Sequence, residues 1–255
     1  MKALLLELAD AVQRAVDHMA EDPGEVVGRG ADGAPSTRID RVAEEAALRV
    51  LDYEGAKINV LSEEAGYIDR GGDRVLVLDP IDGTHNAIRG VPAYSVSLAL
   101  GRERLRDVDE ALVRNLVTGA TFYASAGGGA SLNGRPIHVR PFDAEDSLFT
   151  VYLGSNAAPD GARVASRARR VRNLGAASLD LCLVASGAAD LYFLHSATVE
   201  TKLRVVDIAG GTLIVREAGG YVTDLGGTDL DIPLTTEART DLAAYGDPMV
   251  WEAIA

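Results

Sequence analysis

Leu4, Leu8, Val12, Ala15 and Met19 recur at helical spacing among Glu7, Asp10, Arg14 and Asp17. The pattern predicts an amphipathic helix that stops at Asp22-Pro23, since proline disfavours helical geometry in the residue before it. The glycine-rich stretch over residues 27–35 predicts a mobile loop. Val42, Ala46, Val50 and Leu51 predict one face of a second helix over residues 40–53. Short strands follow at 58–61 and 75–78, and the second is an uninterrupted apolar run ending in Asp79, the pattern of a strand buried on both faces. Tyr94, Val96, Leu98 and Leu100 alternate with Ser95, Ser97 and Ala99, which predicts a strand with one face less buried. Two more strands are expected at 111–117 and 121–125.

A polar turn over 141–146 opens the second half, with a strand at 148–153, helices at 162–171 and 178–186, and a strand at 191–193. Residues 207–218 read as a further helix closed by Gly219-Gly220, whose first glycine suits a left-handed cap. No repeat or low-complexity linker interrupts this order. With 255 residues and 47% apolar content, the chain can bury a continuous core. The expected organisation is one α+β domain over 1–255, built of two intimately packed halves, about 1–140 and about 141–255.

Charge narrows the function classes. Lys and Arg number 25 against 38 Asp and Glu, a net charge of −13, which is the wrong sign for coating nucleic acid or anionic lipid. An anionic substrate must then be attracted locally, by metal ions or a few arginines. The charges within residues 1–19 exclude a secretory core or a membrane span there, so a cytoplasmic enzyme is expected. The single cysteine, Cys182, has no second thiol in the chain to pair with and sits in an apolar run, as a buried inert thiol would.

The segment richest in chemistry is Asp79-Pro80-Ile81-Asp82-Gly83-Thr84, directly after the buried strand. Two carboxylates flanking a rigid proline and followed by glycine can converge while the chain turns sharply. If a helical turn starts after Gly83, the N–H groups of Gly83 and Thr84 form an anion site for phosphate. Taken alone, Asp82-Gly83 reads more readily as a plain turn, and the other acidic segments reverse that reading. Ser62-Glu63-Glu64 places an acidic pair past another strand, and Asp207 opens a helix before Ile208-Ala209-Gly210-Gly211. Their bland readings are a solvated charge and a helix cap. Together Glu63, Asp79, Asp82 and Asp207 supply hard oxygen ligands without histidine or cysteine, a set that suits Mg²⁺, or Mn²⁺ in its place, and not zinc.

On these residues, together with Asn86, Gly90-Val91-Pro92 through Leu98, residues 172–187, and Val206-Asp207-Ile208-Ala209-Gly210 through Glu217-Ala218-Gly219-Gly220, the chain resembles the inositol monophosphatase family. Its archaeal-type members, which also act as fructose-1,6-bisphosphatases, are the more similar. The resemblance implies a layered αβαβα sandwich of the sugar-phosphatase type and a homodimer. It implies two or three Mg²⁺ ions held by Glu63, Asp79, Asp82, Asp207 and the Ile81 carbonyl, and a phosphate site at Asp82-Gly83-Thr84. Asp40, in Ser36-Thr37-Arg38-Ile39-Asp40, matches an aspartate that helps hold a further metal and pairs with Thr84 to activate water. By the same resemblance Asp40, Glu63 and Thr84 are the residues of the chemistry.

The implied reaction is in-line hydrolysis of a sugar or polyol phosphate, fructose 1,6-bisphosphate at its 1-phosphate and inositol 1-phosphate, with a place in carbohydrate metabolism (gluconeogenesis). Metal-activated water makes a phosphoenzyme unnecessary. Arg172 and Ala177 fall in a segment similar to the family's substrate-pocket lining, with Arg172 expected to grip a distal phosphate, and Glu200 precedes Asp207 at the spacing of a substrate contact. Arg167, Arg169 and Arg170 read either as further phosphate ligands or as a solvated helix face. His85, beside the phosphate loop, reads as a wall or surface residue rather than a general acid. Alternatives are an adenosine-bisphosphate or NADP phosphatase, which aromatic side chains lining the pocket would favour, and a non-catalytic regulatory relative, which loss of a metal-site carboxylate would favour. No such carboxylate is missing.

Overall fold

The N-terminal apolar stripe folds as α1 (Lys2–Asp17), burying Leu5, Leu8, Ala9 and Val12. The structure, a computed structural model, describes residues 1–31 and 33–254; Asp32 of the glycine-rich stretch and Ala255 lie outside them. The helix ends short of Asp22-Pro23, where His18 caps it through its backbone N–H and sets its ring Nδ1 2.8 Å from the Arg14 carbonyl oxygen. The stretch expected to be a loop forms a hairpin, β1 (Val26–Arg29) against β2 (Pro35–Thr37). Then comes α2 (Arg38–Tyr53), capped by Thr37 and Asp40. Its buried stripe is Ile39, Ala43, Ala47 and Leu51; the predicted Val42, Ala46 and Val50 are only half-buried. Between Ile39 and Leu51, Ala43 and Ala47 let α2 lie close to the sheet beneath it, and the buried stripe is turned away from the predicted face.

Strands β3 (Asn59–Ser62), β4 (Gly66–Ile68) and β5 (Val75–Asp82), the short helix α3 (Thr84–Arg89), and strands β6 (Ser95–Gly101), β7 (Glu110–Asn115), β8 (Thr121–Ser125), β9 (Gly129–Leu132) and β10 (Arg135–Ile137) complete the first half. They form one sheet in the order β10-β9-β8-β7-β6-β5-β3-β4, antiparallel except for the parallel pair β3/β5. β6 is buried along both faces. Its Ser95, Ser97 and Ala99 side is covered by helices of the second half, and a Cβ on Gly210 would come within 2.8 Å of Ser97 Oγ. The polar–apolar alternation thus marks a close helix–sheet contact through small residues.

The second half runs β11 (Leu148–Val151), α4 (Asp160–Ala165), β12 (Arg170–Arg172), α5 (Ala177–Ala185), β13 (Leu191–Leu194), β14 (Leu203–Arg204), α6 (Val205–Glu217), β15 (Tyr221–Thr223), β16 (Arg239–Thr240), β17 (Leu242–Tyr245) and α7 (Pro248–Ile254). A second sheet has the order β12-β11-β13-β17-β15, and β14 pairs with β16. The helix expected over 162–171 stops at Ala165, and its predicted end becomes edge strand β12, pairing parallel with β11. Gly219, with φ +90°, follows α6 as expected of its closing residue.

Helices α1 and α2 cover one face of the large sheet, α6 covers the other and packs on α5, α5 rests on the small sheet, and α4 and α7 close its outer face. The layers are αβαβα, as the resemblance implied. One apolar cluster joins the halves, from Leu61, Val77 and Val113 of the large sheet through Leu181 and Ile214 to Tyr192 and Ala244 of the small one. Cys182 lies in it as a buried free thiol. Among the described residues no helix is long and apolar enough to cross a membrane.

Candidate active site

Asp79 lies opposite Ser97 and Asp82 opposite Ser95, so Pro80 and Ile81 separate the pairs on β5 where Val96 alone separates them on β6. That extra residue is a bulge. It falls where proline has no N–H to offer the ladder. In an unbroken strand, positions i and i+3 face opposite sides; the added residue returns Asp82 to the side of Asp79, towards α5 and α6. The chain then reverses at Gly83, with φ +89°, and an added Cβ would lie 3.0 Å from the Ala93 carbonyl oxygen and 3.1 Å from Ala176 Cβ. No other residue fits this turn without strain. Gly83 and Thr84 become the N-cap and first residue of α3, where backbone N–H groups have no intrahelical acceptor.

Glu63 follows β3, the parallel neighbour of β5, so both strand ends open on one side. Asp207 reaches the same place from the first turn of α6, where its Oδ2 also accepts the Arg204 N–H at 2.7 Å. One oxygen from each of Glu63, Asp79 and Asp207 lies within 4.8 Å of the others. Burial, and after it repulsion from Asp207 and Asp40, raises Glu63 to about 7 against the pull of Arg204. Burial followed by repulsion from Glu63, Asp82 and Asp207 holds Asp79 well above the usual carboxylate range. Such a cluster favours any cation that can neutralise it.

Asp82 is tied differently. Its Oδ1 accepts the Ala177 N–H at 3.1 Å, and its Oδ2 accepts the N–H and hydroxyl of Ser178 at 2.7 and 2.5 Å. The N-terminus of α5 is thereby pinned to the phosphate-loop candidate, and Oδ1 keeps one lone pair for another ligand. Burial raises Asp82 to about 6 although the Ser178 hydrogen bonds pull it down. Thr84 Oγ1 lies 2.8 Å from Asp40 Oδ1 and 3.0 Å from the Ile81 carbonyl oxygen, and its single proton serves one of them at a time. Asp40 is buried, and its Oδ2 accepts the N–H and hydroxyl of Thr37 at 3.2 and 2.5 Å.

A cavity of about 430 Å³ collects Glu63, Asp79, Ile81, Asp82, Gly83, Thr84, Ala177, Glu200 and Asp207 on its wall. Asp40 stands one hydrogen bond behind it, through Thr84. His85 is exposed on its rim. The structure does not bring Arg172 there. As the last residue of edge strand β12 it is exposed, with its guanidinium on the Val171 carbonyl oxygen at 2.8 Å, while its neighbour Asn173 lines the cavity. Arg167, Arg169 and Arg170 are also exposed. The cations that line the wall are Lys202, Arg204 and Arg239, joined by Asp180, Tyr152 and Tyr192. These six were not anticipated. Arg204 had one usable signal, its place three residues before Asp207 at the start of α6, the spacing of a capping pair.

The inositol monophosphatase family profile matches residues 2–250. A fructose-1,6-bisphosphatase/inositol-1-monophosphatase of Methanothermobacter thermautotrophicus is 37% identical, over 99% of this chain and 94% of that one. A bifunctional NADP phosphatase/NAD kinase of Methanococcus maripaludis is 31% identical over 95% of this chain, which spans 46% of that protein. A solved inositol monophosphatase–fructose 1,6-bisphosphatase superposes with a TM-score of 0.87 at 28% identity, over 99% of this chain and 97% of that one.

Proposed function

The chain belongs to the inositol monophosphatase family, and on that premise we propose that it is a Mg²⁺-dependent phosphatase of small sugar and polyol phosphates. Fructose 1,6-bisphosphate, cleaved at its 1-phosphate, and inositol 1-phosphate are its substrates in this reading. The observation that carries it is the convergence of Glu63, Asp79 and Asp207 on one cavity that Thr84 also lines. The donor set fits the ion: carboxylates raised by burial and then by repulsion from one another, a free lone pair on Asp82 and the Ile81 carbonyl, with no nitrogen or sulfur among them. When bound there, divalent ions neutralise the transferring phosphoryl group and make water a stronger nucleophile.

The chain's own groups supply the positioning. With its proton on Asp40, Thr84 Oγ1 turns a lone pair to the cavity and can accept a hydrogen bond from the attacking water. Thr37 holds Asp40 from behind, so the pair is set before substrate arrives. The open N–H groups of Gly83 and Thr84 suit the phosphate oxygens. Lys202, tied to Asp241 at 2.7 Å, replaces Arg172 as the cation offered to a distal phosphate.

Tyr152 and Tyr192 on the wall favour a second reading, phosphate removal from NADP or an adenosine bisphosphate, because an aromatic face can take a base. Phosphate release from fructose 1,6-bisphosphate, inositol 1-phosphate, NADP and adenosine 3′,5′-bisphosphate with Mg²⁺ separates the two. The sugar and inositol esters are expected to turn over fastest, and Thr84→Ala to lower kcat by about 10²-fold with little change in KM. Release from the nucleotides alone overturns the sugar-phosphate reading, and unchanged kcat in Thr84→Ala removes this residue from the mechanism.

A further inference from the structure

Among the carboxylates sits a guanidinium. Arg204 Nη2 lies 2.6 Å from Glu63 Oε1 and 2.8 Å from Asp207 Oδ1, and its Nε lies 3.2 Å from the same Asp207 oxygen. The backbone fixes its origin twice: Arg204 pairs with Arg239 between β14 and β16, and its N–H is held by Asp207 Oδ2. The side chain is four-fifths buried and lines the cavity. Arginine keeps its charge at any working pH, so this cation cannot be removed by deprotonation.

Glu63 Oε1 and Asp207 Oδ1 belong to two of the three carboxylates whose oxygens converge. A dication bridging those carboxylates would stand beside the guanidinium, repelled by it across a poorly solvated wall. We propose that Arg204 is a resident counter-ion: it holds Glu63 and Asp207 together when no metal is bound, competes with the divalent ion for them, and makes metal loading an exchange of guanidinium for metal. This rests on the reading of the cluster as a metal site. The device keeps like charges assembled in the metal-free protein, and it lowers the affinity for the ion by as much as the guanidinium contacts are worth.

Isothermal titration of Mg²⁺ into the metal-free full chain, with melting temperatures in chelator and in saturating Mg²⁺, tests it. Arg204→Gln is expected to bind Mg²⁺ at least about tenfold more tightly than the unaltered protein, to melt lower in chelator, and to gain more from Mg²⁺. Arg204→Lys, which keeps the charge but not the forked contacts, is expected to bind Mg²⁺ with an affinity between those of the unaltered protein and Arg204→Gln. If Arg204→Gln does not fold without metal, Glu63→Gln combined with Arg204→Gln is expected to restore the metal-free fold by removing both charges. Equal or weaker Mg²⁺ binding in Arg204→Gln overturns the proposal while the metal site stands, as does binding in Arg204→Lys tighter than in Arg204→Gln. Absence of Mg²⁺ binding in every protein overturns the metal reading and this proposal with it.

Discussion

Raising the pH from 5 to 8 without divalent metal is expected to destabilise the fold, by an amount that follows from the carboxylate cluster. Glu63 moves from 4.5 to about 7 on folding, through burial first and then repulsion from Asp207 and Asp40. Between those values the native state keeps a proton that the unfolded chain has released. The stability linked to that proton is therefore fully present below about pH 4.5 and is lost as the pH rises through about 7. At about 1.4 kcal/mol per pH unit, the difference amounts to roughly 3 kcal/mol. Asp82, raised to about 6, and Asp79, raised well above its usual range, act in the same direction. Because these groups raise one another, their losses overlap and do not add. Asp231 and Asp247, held low by hydrogen bonds to Arg104 and to the Met249 N–H, titrate below this window. For a chain of this size roughly 3 kcal/mol corresponds to about 6–12 °C in melting temperature. Thermal melts followed by circular dichroism in chelator should fall by that amount from pH 5 to 8. Saturating Mg²⁺ should flatten the trend, since the ion binds the ionised form. A flat or rising metal-free profile, or an unchanged slope in Glu63→Gln, would refute the account.

Gly83→Ala should lose about 1–2 kcal/mol of stability from its positive φ, and should lower phosphate release by more than about tenfold, because the new methyl pushes on Ala93 and Ala176 beside the proposed phosphate loop. Phosphate-release rates and urea melts check both, and near-normal turnover would show that the turn tolerates a side chain. Gly211→Ala should cost about 1–3 kcal/mol, since its Cβ would lie 2.5 Å from Leu181 Cδ1 where α6 crosses α5, yet leave kcat nearly unchanged, because the position does not line the cavity. Loss of activity without loss of stability would contradict that assignment.

Elements whose pattern depends on their own chain were legible. The apolar run ahead of Asp79, the strand at 121–125 and the glycine after α6 required only local periodicity and cap chemistry. Elements whose burial is decided by a distant partner were not. The serines of β6 look like a solvent face until α5 and α6 are laid over them, and α2 buries its alanines because the sheet beneath admits a close approach. Beyond Ala165 the second half runs into an edge strand, since pairing with β11 is available there and local helical pattern is weak.

The candidate site divides along the same line. Asp79, Asp82, Thr84 and Gly83 are neighbours in sequence, so their convergence was legible, although the bulge that makes it possible shows only in the register against β6. Arg172 shows the limit. Its segment does reach the cavity, through Asn173 and Ala177, but Arg172 itself ends edge strand β12 with its side chain exposed, and the chain meets the cavity only past the strand. Segment similarity places backbone, and side-chain direction needs the strand. Arg204 shows the converse. Its spacing to Asp207 reads as an ordinary capping pair, and only the return of β3 beside β5 brings Glu63 within reach and turns a local contact into a counter-ion for a cluster drawn from separate parts of the chain. Charges that a sequence scatters cannot be summed until the fold assembles them, so the balance of attraction and repulsion that governs this cavity belongs to the tertiary structure.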